Sequence, residues 1–128
     1  RWPVKGRIIS QFGPKPNGIR NDGINVAVPL GTSVKAAENG VVTYAGNELQ
    51  GYGNLVIVSH SDNWVTLYAH NNKLLVSKGD IIKRGQIISK AGKTGQVTTP
   101  QVHFEIRKGA KVVNPVKYLS PVQYAGRN

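Results

Sequence analysis

Amide, imidazole, carboxylate and guanidinium groups fall at every second position of Gln101-Val102-His103-Phe104-Glu105-Ile106-Arg107, the chain's densest run of chemically capable side chains. An imidazole two residues from a carboxylate is material for a metal site or for proton transfer. An earlier stretch, Asn21-Asp22-Gly23-Ile24-Asn25, supplies amides on one strand face. If the two strands are neighbours, Asn21, Asn25, Gln101 and His103 converge where a metal site would sit. Their donors are poor for that purpose, because an amide oxygen is neutral and zinc takes histidine, thiolate or carboxylate. Glu105 has no nucleophile or second carboxylate near it in sequence, so an ion pair or hydrogen bond is expected of it rather than general-base work.

The elements that must carry these residues are strands. Val102, Phe104 and Ile106 alternate with the polar set, giving one apolar and one polar face. Leu55 to His60 is nearly all apolar and reads as a central strand covered on both faces. Trp64 to His70 alternates again, which puts Trp64, Thr66, Tyr68 and His70 on one face and His70 at the strand's end. Asn39-Gly40 predicts a hairpin between strands at 33–37 and 40–45. Residues 13–20, rich in Pro and Gly, read as a mobile loop beside the site, and the tail from Tyr118 to Asn128 as peripheral. Helical periodicity is confined to single turns at 71–75 and 115–119. The fold class that follows is mainly β: an antiparallel sheet curled on itself as a partly open barrel, with an open groove.

At 128 residues the chain is read as a single domain, 1–128, with its core at about 6–119. It begins at Arg1 and lacks methionine, so it is expected to be a fragment or processed product of a longer protein. Without cysteine there is no thiol catalysis, thiolate metal site or disulfide. No apolar run approaches the roughly 18 residues of a spanning helix, so direct membrane insertion by this domain is not expected. Seventeen Lys and Arg against six Asp and Glu give a formal charge of +11 and favour polyanionic surroundings. Nucleic acid is not expected as a partner, because no recognition helix or basic–aromatic interleaving is present.

Nine blocks in order carry a resemblance: Asn21-x-Gly23-x-Asn25, Gly31-Thr32-x-Val34-x-Ala36, Gly40-Val41-Val42, Gly51-Tyr52-Gly53-Asn54, Tyr68-Ala69-His70, Gly85-Gln86, Gly92-x-Thr94-Gly95, Gln101-x-His103-Phe104-Glu105-Ile106 and Asn114-Pro115. Together they resemble the lysostaphin-type, or LytM, zinc endopeptidases that cut peptidoglycan cross-bridges. The resemblance implies zinc ligands at positions 21, 25 and 103 and water-assisting histidines at 70 and 101. Here those positions hold Asn21, Asn25, His103, His70 and Gln101. Two of three ligands and one of two assisting histidines are replaced, so the chain is expected to bind no zinc, use no cofactor and hydrolyse nothing. Asp22 adjoins both lost positions, but on a continuous strand it would point to the opposite face.

The phrases Tyr44-Ala45-Gly46-Asn47, Tyr68-Ala69-His70-Asn71 and His103-Phe104-Glu105-Ile106-Arg107 bring the chain closest to degenerate LytM factors of the NlpD and EnvC type. This resemblance implies activation of an N-acetylmuramoyl-L-alanine amidase during septum splitting, in the bacterial periplasm, with outer-membrane tethering through parent sequence. The former active-site groove would bind the amidase's regulatory segment through Asn21, Asn25, His70, Gln101, His103 and Arg107. Tyr52 and Tyr68 are added as partner-facing aromatics, and Arg20 and Lys35 as a positive rim. The alternatives are a non-catalytic peptidoglycan-binding module and an active endopeptidase with unusual ligands.

Overall fold

The computed structural model describes residues 1–120. Its strands are β1 (Arg7–Ser10), β2 (Gly13–Pro14), β3 (Arg20–Asn21), β4 (Ile24–Ala27), β5 (Ser33–Lys35), β6 (Gly40–Gly46), β7 (Asn54–Ser59), β8 (Trp64–Leu74), β9 (Ile81–Ile82), β10 (Ile87–Ala91), β11 (Gln101–Lys108) and β12 (Lys111–Val113). Ser61–Asn63 and Pro115–Lys117 form 3₁₀ turns. The pairing is antiparallel throughout, in the order β1-β4-β11-β8-β7-β6-β9. β10 branches off to join β8 with β5, β12 flanks β11, and β2 and β3 form a separate ribbon.

The alternation read in the sequence decides which way β11 faces. Val102 and Phe104 oppose Val26 and Ile24 of β4, and Phe104 also opposes Tyr68 of β8, with ring centroids 5.3 Å apart. These side chains, with Val34, Val42, Val56, Val58 and Ile88, make the main core. Burying an aliphatic or aromatic side chain of this size contributes about 1.5–3 kcal/mol. The opposite face of β8 carries a smaller cluster of Leu55, Leu67 and Ala69, against which Tyr52 packs. β7, between β6 and β8, has residues in both clusters, as a central strand should.

Several local expectations are corrected. β5 and β6 form no hairpin: β5 pairs with β10, and β6 with β7 and β9. The Asn39 carbonyl instead meets His60 Nδ1 at 2.6 Å, and its Oδ1 accepts from the Arg84 amide. Residues 71–74 extend β8 rather than forming a helical turn, because they have β10 to pair with. The loop at 13–20 is closed by the β2–β3 ribbon, with Lys15 N donating to Ile19 O. Leu119 is not peripheral but buried, whereas Tyr118 is exposed, its ring tilted against Trp64 at 5.1 Å. The rest of that tail, residues 121–128, lies outside the described residues.

Candidate functional site

Two backbone devices build the site. The first is Gly23, where a Cβ would sit 2.1 Å from the Phe104 carbonyl oxygen. Only glycine lets the chain entering β4 approach β11 this closely, and the approach sets Asn25 directly opposite His103. The second is a β-bulge in β8. Asn54 and Val56 of β7 face Asn71 and Tyr68, so three steps on β8 match two on β7. His70 falls within that step, at φ 69°. Bulges re-aim side chains, and this one turns His70 away from the face it would share with Tyr68.

The bulge also marks where β8 changes neighbour, from β11 up to Ala69 to β10 from Asn71 onward. His70 is therefore inside a strand, not at its end as the alternation implies. Its backbone N–H donates to the Tyr52 carbonyl at 2.8 Å. Its Nδ1 lies 2.8 Å from the Thr94 carbonyl, and that loop is held by the Thr94 hydroxyl donating to Asn71 O. Burial pushes the His70 imidazole below its ordinary pKa, the Thr94 contact opposes this, and nearby His103 adds to it.

Around these elements lies an open cleft of about 460 Å³, bordered by Arg20, Asn21, Asp22, Asn25, Tyr52, His70, His103 and Glu105, with Gln50, Gly51, Gln96 and Val97 on its loop side. Its floor is a continuous hydrogen-bond network. The Gly23 amide, which can only donate, gives its hydrogen to Asn21 Oδ1 at 3.0 Å. Asn21 Nδ2 must therefore be the donor to Ser10 Oγ at 2.8 Å and to Asn25 Oδ1 at 3.0 Å. Asn25 Nδ2 in turn donates to Gln101 Oε1 at 2.8 Å.

This polarity reaches His103. Its Nδ1 is 3.0 Å from Asn25 Oδ1, and its Nε2 is 2.7 Å from Glu105 Oε2. Both ring nitrogens are therefore engaged inside the network. Glu105 is 1% exposed and also accepts from Arg107 through Nε at 2.8 Å and Nη2 at 2.5 Å. Burial pushes the Glu105 carboxyl up, but its bonds and charge contacts with His103 and Arg107 outweigh that and hold it below its ordinary value. It remains the anion at the centre of the network.

The residues present do not fit a zinc ion. Asn21 and Asn25 bring no charge, and both ring nitrogens of His103 already have partners in the network. Among the described residues no three His, Cys, Asp or Glu side chains are grouped to hold a metal. Asp22 does border the cleft, a correction to the expected opposite face, because the break between β3 and β4 frees it from strand alternation. Its carboxylate meets Arg20 at 3.5 Å on the rim.

Of the residues expected in the groove, Asn21, Asn25, Gln101 and His103 meet in one network. His70, Tyr52 and Arg20 border the same cleft, and Arg107 reaches it through Glu105. Tyr68 does not. It is fully buried on the core face, its hydroxyl accepting from the Ala37 amide at 2.9 Å and lying 2.7 Å from Thr66 Oγ1, and burial pushes its pKa to about 12. Lys35 is also misplaced, because β5 joins β10 rather than the cleft strands. Ser10, Thr94 and Gln96 also belong to the site but are not among the residues expected in the groove. Only the glycines at 92 and 95 hinted that the Thr94 loop is packed closely.

The comparisons agree with this architecture. Residues 20–115 match peptidase family M23. "Murein hydrolase activator NlpD" of Escherichia coli is 45% identical over 119 residues, covering 93% of this chain and 31% of that protein. "Cell division protein DipM" of Caulobacter vibrioides is 44% identical over 120 residues, covering 94% and 20%. The chain thus spans about a fifth to a third of these relatives. Among solved structures, the catalytic domain of lysostaphin from Staphylococcus simulans superposes with a TM-score of 0.79 at 32% identity, over 87% of this chain and 90% of that one. A zinc containing peptidase from Vibrio cholerae gives 0.82 at 34%, over 88% and 37%. With the family matched over residues 20–115 and solved peptidases superposing on most of its length, the chain belongs to peptidase family M23.

Proposed function

We propose that this domain is a non-catalytic LytM factor that binds and activates an N-acetylmuramoyl-L-alanine amidase in the bacterial cell envelope, in septum splitting and daughter-cell separation. The observation that carries the reading is the saturated network at the expected zinc positions, where Asn21, Asn25 and both nitrogens of His103 are already hydrogen-bonded. The relatives named murein hydrolase activator and cell division protein support it. The cleft grips a regulatory segment of the amidase and holds it away from the amidase's own active site. Such a shift is limited by the difference in affinity for the two positions of the segment. About 3 kcal/mol changes a small open fraction roughly a hundredfold.

The test is release of dye from labelled peptidoglycan by the domain, by an amidase of the same organism, and by both together. Stimulation only in the mixture is expected. Chelator-sensitive release by the domain alone would overturn the reading. The formal charge of +11 favours a second role, direct binding to peptidoglycan. Sedimentation with purified wall that survives high salt is its signature, because binding by surface charge alone is screened away.

A further inference from the structure

The floor of the cleft has little to offer a visitor, since Asn21, Asn25, Gln101, His103 and Glu105 are committed to one another. His70 is the exception. It is only 6% exposed, yet it borders the cleft. Its Nδ1 faces a carbonyl oxygen, which can only accept, so Nδ1 carries the hydrogen. In that tautomer Nε2 holds a lone pair. No hydrogen-bond partner for Nε2 exists among the described residues. A buried, unpartnered acceptor is unusual, and this one is aimed by a bulge at positive φ, a conformation that persists only where its surroundings enforce it. Those surroundings are tight: a Cβ on Gly53 would meet Thr94 Oγ1 at 2.3 Å, and one on Gly95 would meet Gly51 O at 2.6 Å.

We propose that Nε2 of His70 is the acceptor the cleft presents to its occupant, taking an N–H or O–H from the peptide segment seated there. The assignment rests on the amidase-binding reading and adds a chemical requirement to it. The segment must place a donor, such as a backbone amide or the side chain of Lys, Asn or Gln, against His70.

The variant that isolates this role is His70→Asn. Asparagine tolerates positive φ, and its Nδ2 replaces Nδ1 as donor to the Thr94 carbonyl, while nothing replaces Nε2. Two measurements use the purified amidase of the same organism as probe: calorimetric affinity for wild type and variant, and the ¹⁵N resonance of His70 Nε2 in the wild-type chain. The expected result is affinity about tenfold weaker in the variant, as for one lost hydrogen bond, with the wild-type Nε2 resonance shifted on binding. Binding that leaves the Nε2 resonance unmoved overturns the assignment whatever the variant does, and leaves the amidase reading standing. Equal affinities of wild type and variant do the same. Absence of binding by the wild type overturns both.

Discussion

Replacing Glu105 by alanine removes an acceptor that His103 and Arg107 share inside the fold. Glu105 Oε2 lies 2.7 Å from His103 Nε2, and Oε1 takes both Arg107 contacts. Removing one partner from a buried ion pair costs about 3–5 kcal/mol, because the other charge stays behind unpaired. Arg107 keeps 31% of its side chain exposed and regains some water, which places Glu105→Ala near the lower end, at about 3 kcal/mol. Glu105→Gln is gentler. It keeps the shape of the side chain, and its carbonyl oxygen still accepts from Arg107. What is lost is charge assistance, about 1 kcal/mol.

Urea denaturation near neutral pH, read from midpoints at unchanged slope, separates the two variants. The acid limb supplies a second check. The folded-state carboxyl lies below its ordinary value of 4.5, so its stabilisation is complete above that value and disappears as pH falls through the folded one. The margin of wild type over Glu105→Gln should therefore close in acid. If Glu105→Ala proves as stable as Glu105→Gln, or the margin is unchanged in acid, the reasoning about this network is wrong.

Other substitutions test the surrounding scaffold. Gly23→Ala places a Cβ on the Phe104 carbonyl and should destabilise by about 2 kcal/mol or more, with faster amide exchange along β4. Tyr68→Phe strands the buried Ala37 amide and should lower thermal stability by about 1–3 kcal/mol without weakening partner binding, since the ring faces the core. The combination Asn21→His, Asn25→Asp and Gln101→His should bind zinc in a chelator-reversible way, measured by metal analysis after dialysis, whereas the wild type should retain none. Failure of that combination would show that the cleft floor has been reshaped beyond its ligands.

How much of this was readable in the sequence depends on how local each cause is. The polar and apolar faces of β11 follow from period-two alternation, and β11 has the regular pairing with β4 and β8 that keeps the period intact. The same reasoning failed on β8. Its alternation groups Tyr68 with His70, but one extra residue in the pairing with β7 sends Tyr68 into the core and His70 into the cleft. Nothing within Trp64 to His70 records that extra residue, because it is set by the strands on either side.

The sequence by itself determined an antiparallel β domain, through alternation and turn residues, and the replaced ligand positions, through nine ordered blocks. Tertiary structure alone decided the partners. Asn39-Gly40 has hairpin chemistry, yet β5 leaves for β10, more than fifty residues away in sequence, because that pairing buries Val34 and Ile88. The link from Asn25 to His103 spans 78 residues and depends on a glycine whose bare Cα lets two strands touch. Thr94, 24 residues from His70, fixes its tautomer through a carbonyl contact that no side-chain motif encodes. Local pattern sets which face a residue prefers, and only the closing of long-range pairs sets what it meets there.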